Sequence, residues 1–267
     1  MEALGLVAGR GIYPVLFAKS ARAAGVCKLV VSGIVDDAVA ELEELADEFE
    51  WVHAGQLNRT IKHLRKHDVK RVVFAGQVTP GKLFKDLRPD WRAAKVLARL
   101  KLKNADTIFT GLAKEFESEG ITVLPATTYL EDALASEGVM GRVKPSRVIR
   151  SDIGFGREIC TKISEMDIGQ CVVVKNGTVL AVEAFEGTDK AIQRGGELGR
   201  GQAIIVKMAK PKQDMRFDVP CIGMRTVESL ISVNAAALAT EAGRTLLLER
   251  EQVIAALDAA GIAIVGF

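Results

Sequence analysis

Short apolar runs alternate with segments of helical spacing as far as residue 126, and this alternation constrains the fold more than any other feature of the chain. The runs are "LGLVAG" (4–9), "CKLVVSG" (27–33), "FEWVHAG" (49–55), "RVVFAG" (71–76) and "ITVLPA" (121–126). All are strand length, and four of the five close on glycine. Between them, "YPVLFAKSARAAG" (13–25), "DDAVAELEELADE" (36–48), "QLNRTIKHLRKHD" (56–68) and "DTIFTGLAKEFESEG" (106–120) repeat their apolar residues three and four apart. Strands separated by helices of about 10–15 residues predict βαβ units. Residues 1–135 are therefore expected to form a Rossmann-like, doubly wound parallel sheet. Right-handed crossovers would gather its strand-to-helix loops along one edge.

The pattern changes after that. Residues 136–150, "SEGVMGRVKPSRVIR", combine glycines and a proline with little periodicity and read as a linker. Residues 151–267 read as an α+β domain carrying the catalytic groups. A helix is expected over 155–167, then short β signals, with "NG" at 176–177 marking a hairpin. Helices over 226–239 and 249–261 and a last strand over 262–267 complete it.

Several function classes are excluded early. The chain has 267 residues, 48% hydrophobic and 26% charged, with net charge +2, which gives no basic surface for nucleic acid. The densest basic run, 88–103, spaces Arg92, Lys95, Arg99 and Lys103 three to four apart. It reads as a solvated amphipathic helix or as one lying on anionic lipid. Cys27, Cys160, Cys171 and Cys221 are scattered, which fits a reducing compartment and neither a disulfide framework nor a zinc knuckle. The start lacks the layout of a signal peptide, and no apolar run approaches the roughly 20 residues that span a bilayer. A cytoplasmic protein is expected, peripheral to the inner membrane at most. His63 and His67 share a helical face, but "HLRKH" lacks the glutamate of a zinc helix. There is no P-loop and no G-x-S-x-G elbow.

Two loops and two acidic clusters remain. In "GLVAGRGIYP" (5–14), Gly9 and Gly11 have dinucleotide-type spacing, but Pro14 replaces the third glycine. Proline suits a helix start, and the glycines would let a phosphate approach the amides there. The alternative is a tight turn with no ligand. The loop "FAGQVTPGKLF" (74–84) should lie at the same sheet edge, offering Gly76, Gln77 and Thr79, with Lys82 behind. The acids are Glu183, Glu186 and Asp189 in "VEAFEGTD", and Asp214 and Asp218 in "KQDMRFDVP", where Asp214, Arg216 and Asp218 would share one face of a strand. Carboxylates so close repel unless a cation or a proton task holds them together. Oxygen ligands without thiolate or histidine suit a hard ion such as Mg²⁺.

"LGLVAGRGIYP", "VVFAGQV", "MDIGQCVVVKNGTVLAVEAFEGTD" and "AKPKQDMRFDVPCIG" followed by "TVE" resemble, in order and over essentially the whole chain, the two-domain bacterial UDP-2,3-diacylglucosamine pyrophosphatases. That family is unrelated to the calcineurin-like enzymes of the same activity. The resemblance implies Mg²⁺-assisted hydrolysis of UDP-2,3-diacylglucosamine to 2,3-diacylglucosamine 1-phosphate (lipid X) and UMP, in lipid A biosynthesis, with water attacking the sugar-side phosphorus. It places the critical acid at Asp218, as metal ligand or general base, with Asp189 as a second catalytic acid and Asp189 and Glu186 as further metal ligands. The implied substrate contacts are Gly9, Gly11 and Ile12, then Gly76, Gln77 and Val78, then Gln170, Gly187, Thr188 and Arg194. Arg194 and Arg216 are phosphate clamps or partners of the adjacent acids. The chain reads "GRG" where some members of that family have three glycines, and "GQVTPGK" where an arginine often follows the threonine. The acyl chains would need an apolar cleft, with Phe84, Phe185 and the 92–103 helix as its border. A homodimer through the second domain is a further expectation. The competing readings are a nicotinamide-dependent oxidoreductase and a non-catalytic nucleotide or lipid carrier.

Overall fold

A computed structural model describes residues 2–78, 89–100, 105–211 and 213–267, with only the backbone of 105 and 106. Thr79, Lys82, Phe84 and Lys103 lie outside the described residues. The chain divides into two compact units, 1–130 with 214–218, and 131–213 with 219–267.

The first unit is built as the alternation predicts. Its strands are β1 (Ala3–Ala8), β2 (Lys28–Ile34), β3 (Glu48–Val52), β4 (Arg71–Ala75) and β5 (Thr122–Val123), all parallel, in the order β3-β2-β1-β4-β5. Its described helices are α1 (Tyr13–Ala23), α2 (Glu41–Leu45), α3 (Leu57–Lys66), α4 (Trp91–Arg99) and α5 (Ala105–Ser118). Strand order reverses between β1 and β4, so the loops leaving these two strands flank the point where open α/β sheets bind ligands. Every residue of β1 is buried, as a central parallel strand covered on both faces requires. The expected 36–48 helix shrinks to α2 because Asp36 takes a left-handed turn, with φ of 63°.

The second unit holds a six-stranded mixed sheet in the order β6-β13-β11-β9-β7-β8. These strands are β6 (Gly138–Val139), β7 (Cys171–Lys175), β8 (Thr178–Val182), β9 (Ile204–Lys207), β11 (Ala237–Thr240) and β13 (Ala263–Gly266), and β10 (Cys221–Ile222) pairs separately with β12 (Leu246–Leu247). Strands β9, β11 and β13 are parallel, and the others join antiparallel. Helix α6 (Arg147–Glu165) packs on one face through Ile153 and Cys160, against Val172, Val174 and Val206. Helices α7 (Thr188–Gly199), α8 (Met224–Ser232) and α9 (Arg250–Ala259) cover the other through Ile192, Leu230 and Leu257, against Val173 and Ile205. Alternate residues of β7 and β9 thus feed separate cores.

Residues 136–150, expected as a linker, contain β6 and the first turn of α6, whose N-cap Ser146 accepts a hydrogen bond from the Ile149 N–H. The helix expected over 155–167 thus starts eight residues earlier, at Arg147. Gly156 is needed because a Cβ there would lie 2.6 Å from Val206 Cγ2. The hairpin at Asn176–Gly177 forms, with both residues left-handed (φ 50° and 69°), and the buried Asp152 carboxylate accepts both of their amides. The expected 226–239 helix stops at Ser232, and its alanine-rich end is strand β11. Burial in the sheet centre outweighs the helix propensity of alanine there.

Candidate functional site

In the first unit the two glycine loops cross. Arg10 and Gln77 exchange backbone hydrogen bonds in both directions (2.7 and 3.1 Å), and the Gly9 N–H reaches the Ala75 carbonyl at 2.8 Å. A Cβ on Gly9 would lie 2.6 Å from the Gln77 carbonyl oxygen, and one on Gly76, whose φ is +87°, would lie 2.8 Å from the Arg10 carbonyl oxygen. Gly9 and Gly76 therefore have to be glycine where the two backbones touch. Gly11 differs, with φ of +101° and open space around it. Beyond it Ile12 caps α1 without a side-chain bond, and Pro14 occupies the first turn. The loops bring together Gly9, Gly11, Ile12, Gly76, Gln77 and Val78, all expected substrate contacts. Arg10, absent from that expectation, reaches Gln77 Oε1 at 3.4 Å.

The acids of 183–189 lie in the second unit and are each compensated separately. Glu183 is buried, and its carboxylate accepts the Thr188 hydroxyl at 2.9 Å and the Gln170 amide at 3.3 Å. Glu186 accepts Arg194 at 2.6 Å and the Ala184 amide, and the Arg194 bond holds its carboxyl below the usual range. Asp189 pairs with Arg225 at 2.7 Å, a partner 36 residues onward that no local pattern announces. Gly187, with φ of 85°, turns the chain into α7 and offers no side chain to cap it, so the turn presents Thr188 and Asp189 in the first helical turn. Gly187 has nothing within 4 Å of its Cβ position, so backbone conformation alone demands glycine. With its proton committed to Glu183, the Thr188 oxygen offers only lone pairs, suited to water, an N–H or a cation rather than a phosphate oxygen. Gln170 Oε1 is buried without a hydrogen-bond partner.

The second acidic segment behaves differently. Residues 214–218 form a turn, not the expected strand, with the Phe217 and Asp218 amides both bonded to the Asp214 carbonyl at 3.0 Å. This segment belongs to the first unit, whereas Glu186 and Asp189 belong to the second. Arg216 grips Asp214 through Nε and Nη2 (3.0 and 2.8 Å) and Glu117 through Nη1 (3.1 Å), and so takes the role of partner to adjacent acids.

Oxygen donors suit Mg²⁺, but the residues present do not fit a ready-made cage for it. Glu186 and Asp189 are each held by an arginine, and among the described residues no group of three acids, histidines or cysteines could hold a metal ion. His63 is buried, with Nδ1 3.4 Å from Glu50, and burial pushes its pKa down. All four cysteines are free thiols, and burial raises Cys160 to about 12. Among the described residues no helix is long and apolar enough to cross a membrane.

Comparison with known proteins divides the chain near residue 135. The family model described as the LpxI N-terminal domain matches residues 3–133, and that described as the LpxI C-terminal domain matches residues 136–265. A UDP-2,3-diacylglucosamine pyrophosphatase LpxI from Caulobacter vibrioides is 36% identical over 279 residues, covering 100% of this chain and 98% of the relative. Two biotin carboxylase domains of 2-oxoglutarate carboxylase align far less well. One, from a thermophile and bound to ADP, has a TM-score of 0.29 at 11% identity, over 65% of this chain and 35% of its own. The other, from Hydrogenobacter thermophilus, scores 0.28 at 12% identity, over 67% and 36%. Likeness so slight bears on neither fold nor chemistry.

Proposed function

The chain belongs to the LpxI family, and on that premise we propose that it hydrolyses the diphosphate of UDP-2,3-diacylglucosamine to 2,3-diacylglucosamine 1-phosphate and UMP in lipid A biosynthesis. The observation that carries this reading is identity of 36% along the full length, with both family domains matched in order.

The chemistry asks for charge stabilisation on the diphosphate and an oriented water. Water oxygen bonds to the sugar-side phosphorus, the bond from that phosphorus to the bridging oxygen breaks, and UMP leaves with the bridging oxygen. Asp218 is assigned to the water, as base or as cation ligand, and Asp189 is the second acid. The support for Asp218 is the "RFDVP" motif together with its place on a turn fastened by Arg216. Gly11 and Ile12, ahead of the uncapped start of α1, and Gly187, ahead of α7, supply helix N-termini suited to phosphate oxygens. A divalent cation, which neutralises phosphate charge when bound, is read as arriving with the substrate. Mg²⁺ commonly takes one or two carboxylates, water and substrate phosphate oxygens, and so needs no three-acid cage.

Cytoplasmic placement against a bilayer surface is part of the same reading. Helix α4 turns Trp91, Lys95 and Arg99 outward along one stripe, Trp91 being 61% exposed, while Arg92 turns inward to Glu119 at 2.7 Å. Phe185 is 99% exposed at the tip before Gly187, where an acyl chain or bilayer could cover it. A homodimer through the second unit belongs to the same reading, and sedimentation velocity tests it directly.

The decisive experiment is turnover of UDP-2,3-diacylglucosamine in ¹⁸O-labelled water, with Mg²⁺ and with EDTA. Label in the lipid phosphate and loss of rate in EDTA are expected. Label in UMP overturns the attack, undiminished rate in EDTA overturns the cation, and no hydrolysis overturns the activity.

A further inference from the structure

The chain leaves the second unit after Gln213, gives Asp214–Asp218 to the first, and returns at Val219. Five residues fastened so firmly outside their own unit call for a reason. The Met215 carbonyl accepts the Ala126 amide at 2.9 Å, just beyond β5. The Phe217 ring stacks on Phe109 of α5 (centroids 5.0 Å apart, planes at 10°) and tilts against Phe74 of β4 at 4.9 Å. Arg216 lies over that ring at 5.6 Å while holding Asp214 and Glu117. Arg216 and Phe217 thus fasten the turn immediately before Asp218, whose amide closes it on the Asp214 carbonyl.

We propose that Arg216 and Phe217 are positioning residues, which hold the turn on the first unit so that the Asp218 carboxylate is delivered in a fixed place for the reaction. The proposal rests on the assignment of Asp218 above. A guanidinium bonded to one carboxylate by two of its nitrogens and to a second by its third fixes direction as well as distance. A displacement near 1 Å at a reacting group can cost about a hundredfold in rate. Arg216 therefore acts through Asp218 and does not touch the substrate.

The test is steady-state kinetics and thermal unfolding of the full chain carrying Arg216→Ala, Arg216→Lys, Phe217→Leu, Asp218→Asn or Asp218→Asn with Arg216→Ala. Arg65→Ala, which breaks an exposed pair with Glu119 in the same unit, is the control for general loosening. Arg216→Ala should lower kcat tenfold or more, well beyond the control's loss, and leave KM within twofold. Arg216→Lys and Phe217→Leu should fall between Arg216→Ala and wild type. In the Asp218→Asn background Arg216→Ala should add no further loss. Wild-type kcat in Arg216→Ala beside an inactive Asp218→Asn overturns the positioning role. So does a raised KM at unchanged kcat, which makes Arg216 a substrate clamp, and so does a kcat loss no larger than the control's. Full activity in Asp218→Asn overturns the assignment beneath it instead.

Discussion

Two acidic segments of the same chain, 183–189 and 214–218, look alike in sequence and are handled in opposite ways by the fold. In the first, each acid is settled by its own partner within one unit: Glu183 by Thr188 and Gln170, Glu186 by Arg194, Asp189 by Arg225. In the second, Asp214 and Arg216 serve as fastenings for a turn placed on the other unit, with Asp218 at its end. A cluster of like charges in a sequence is therefore not one feature. One can dissolve into separate local pairs that shape a helix entrance, while another becomes a mount for a single group.

The largest effect that could break this contrast comes from Asp218 itself. Asp218→Asn is expected to lower kcat by about 10²–10⁴, the usual contribution of a positioned acid or base, with the fold intact by circular dichroism. Glu186→Gln, in the first cluster, should act more through KM. Equal kcat losses for Asp218→Asn and Glu186→Gln would erase the distinction.

How much of this was legible beforehand divides along physical lines. The parallel sheet of the first unit was readable because each strand is a short apolar run closed by a turn residue, a purely local signal. The hairpin at Asn176–Gly177 was readable for the same reason. Helix α6 was read only from residue 155 onward, its first two turns being hidden by the glycines and proline around 136–154, and the demand for Gly156 comes from Val206, 50 residues away. The pairing of Asp189 with Arg225 and the attachment of 214–218 to the first unit are likewise products of long-range packing. The motif residues around Asp218 stood out, but their turn geometry did not, since a turn and a strand can share the same five letters.

Next in size are the crossed loops of the first unit, set against the open turn at Gly187. Gly76→Ala adds a left-handed penalty of about 1–2 kcal/mol to a backbone clash worth roughly 1–3 kcal/mol. Gly9→Ala meets only the clash and should cost roughly 1–3 kcal/mol. Gly187→Ala and Gly11→Ala have clear space and should cost only the conformational term, about 1–2 kcal/mol. Urea unfolding measures all four. If Gly9→Ala proved neutral, the loops would not be in contact as described.

A smaller effect, visible in the pH dependence of stability, tests the fastening of the second segment. The Asp214 carboxyl is held below its ordinary 3.8 chiefly by the Arg216 hydrogen bonds. A folded-state value below the unfolded one means a stabilisation fully present above pH 3.8 and lost as pH falls through the lower folded value. Asp214→Asn should therefore be destabilised relative to wild type at pH 6, with the gap closing below pH 3.8 in urea titrations. A gap independent of pH would show that the ion pair is not what fastens the turn.

The smallest predicted change is the one most diagnostic for the 183–189 turn. Arg225 is 80% exposed where it meets Asp189, so the pair should be worth no more than about 0–1 kcal/mol, and less in high salt. Arg225→Ala should therefore leave Tm almost unmoved. Its effect on catalysis depends on what the arginine is for. If Arg225 only neutralises Asp189, removing it frees that carboxylate, and the Mg²⁺ concentration needed for half-maximal rate should fall. If it also meets the diphosphate, KM should rise severalfold while the cation requirement stays as it was. A titration of rate against Mg²⁺ at two substrate concentrations separates the two. A large loss of stability instead would mean that the acids of this turn are not settled one by one.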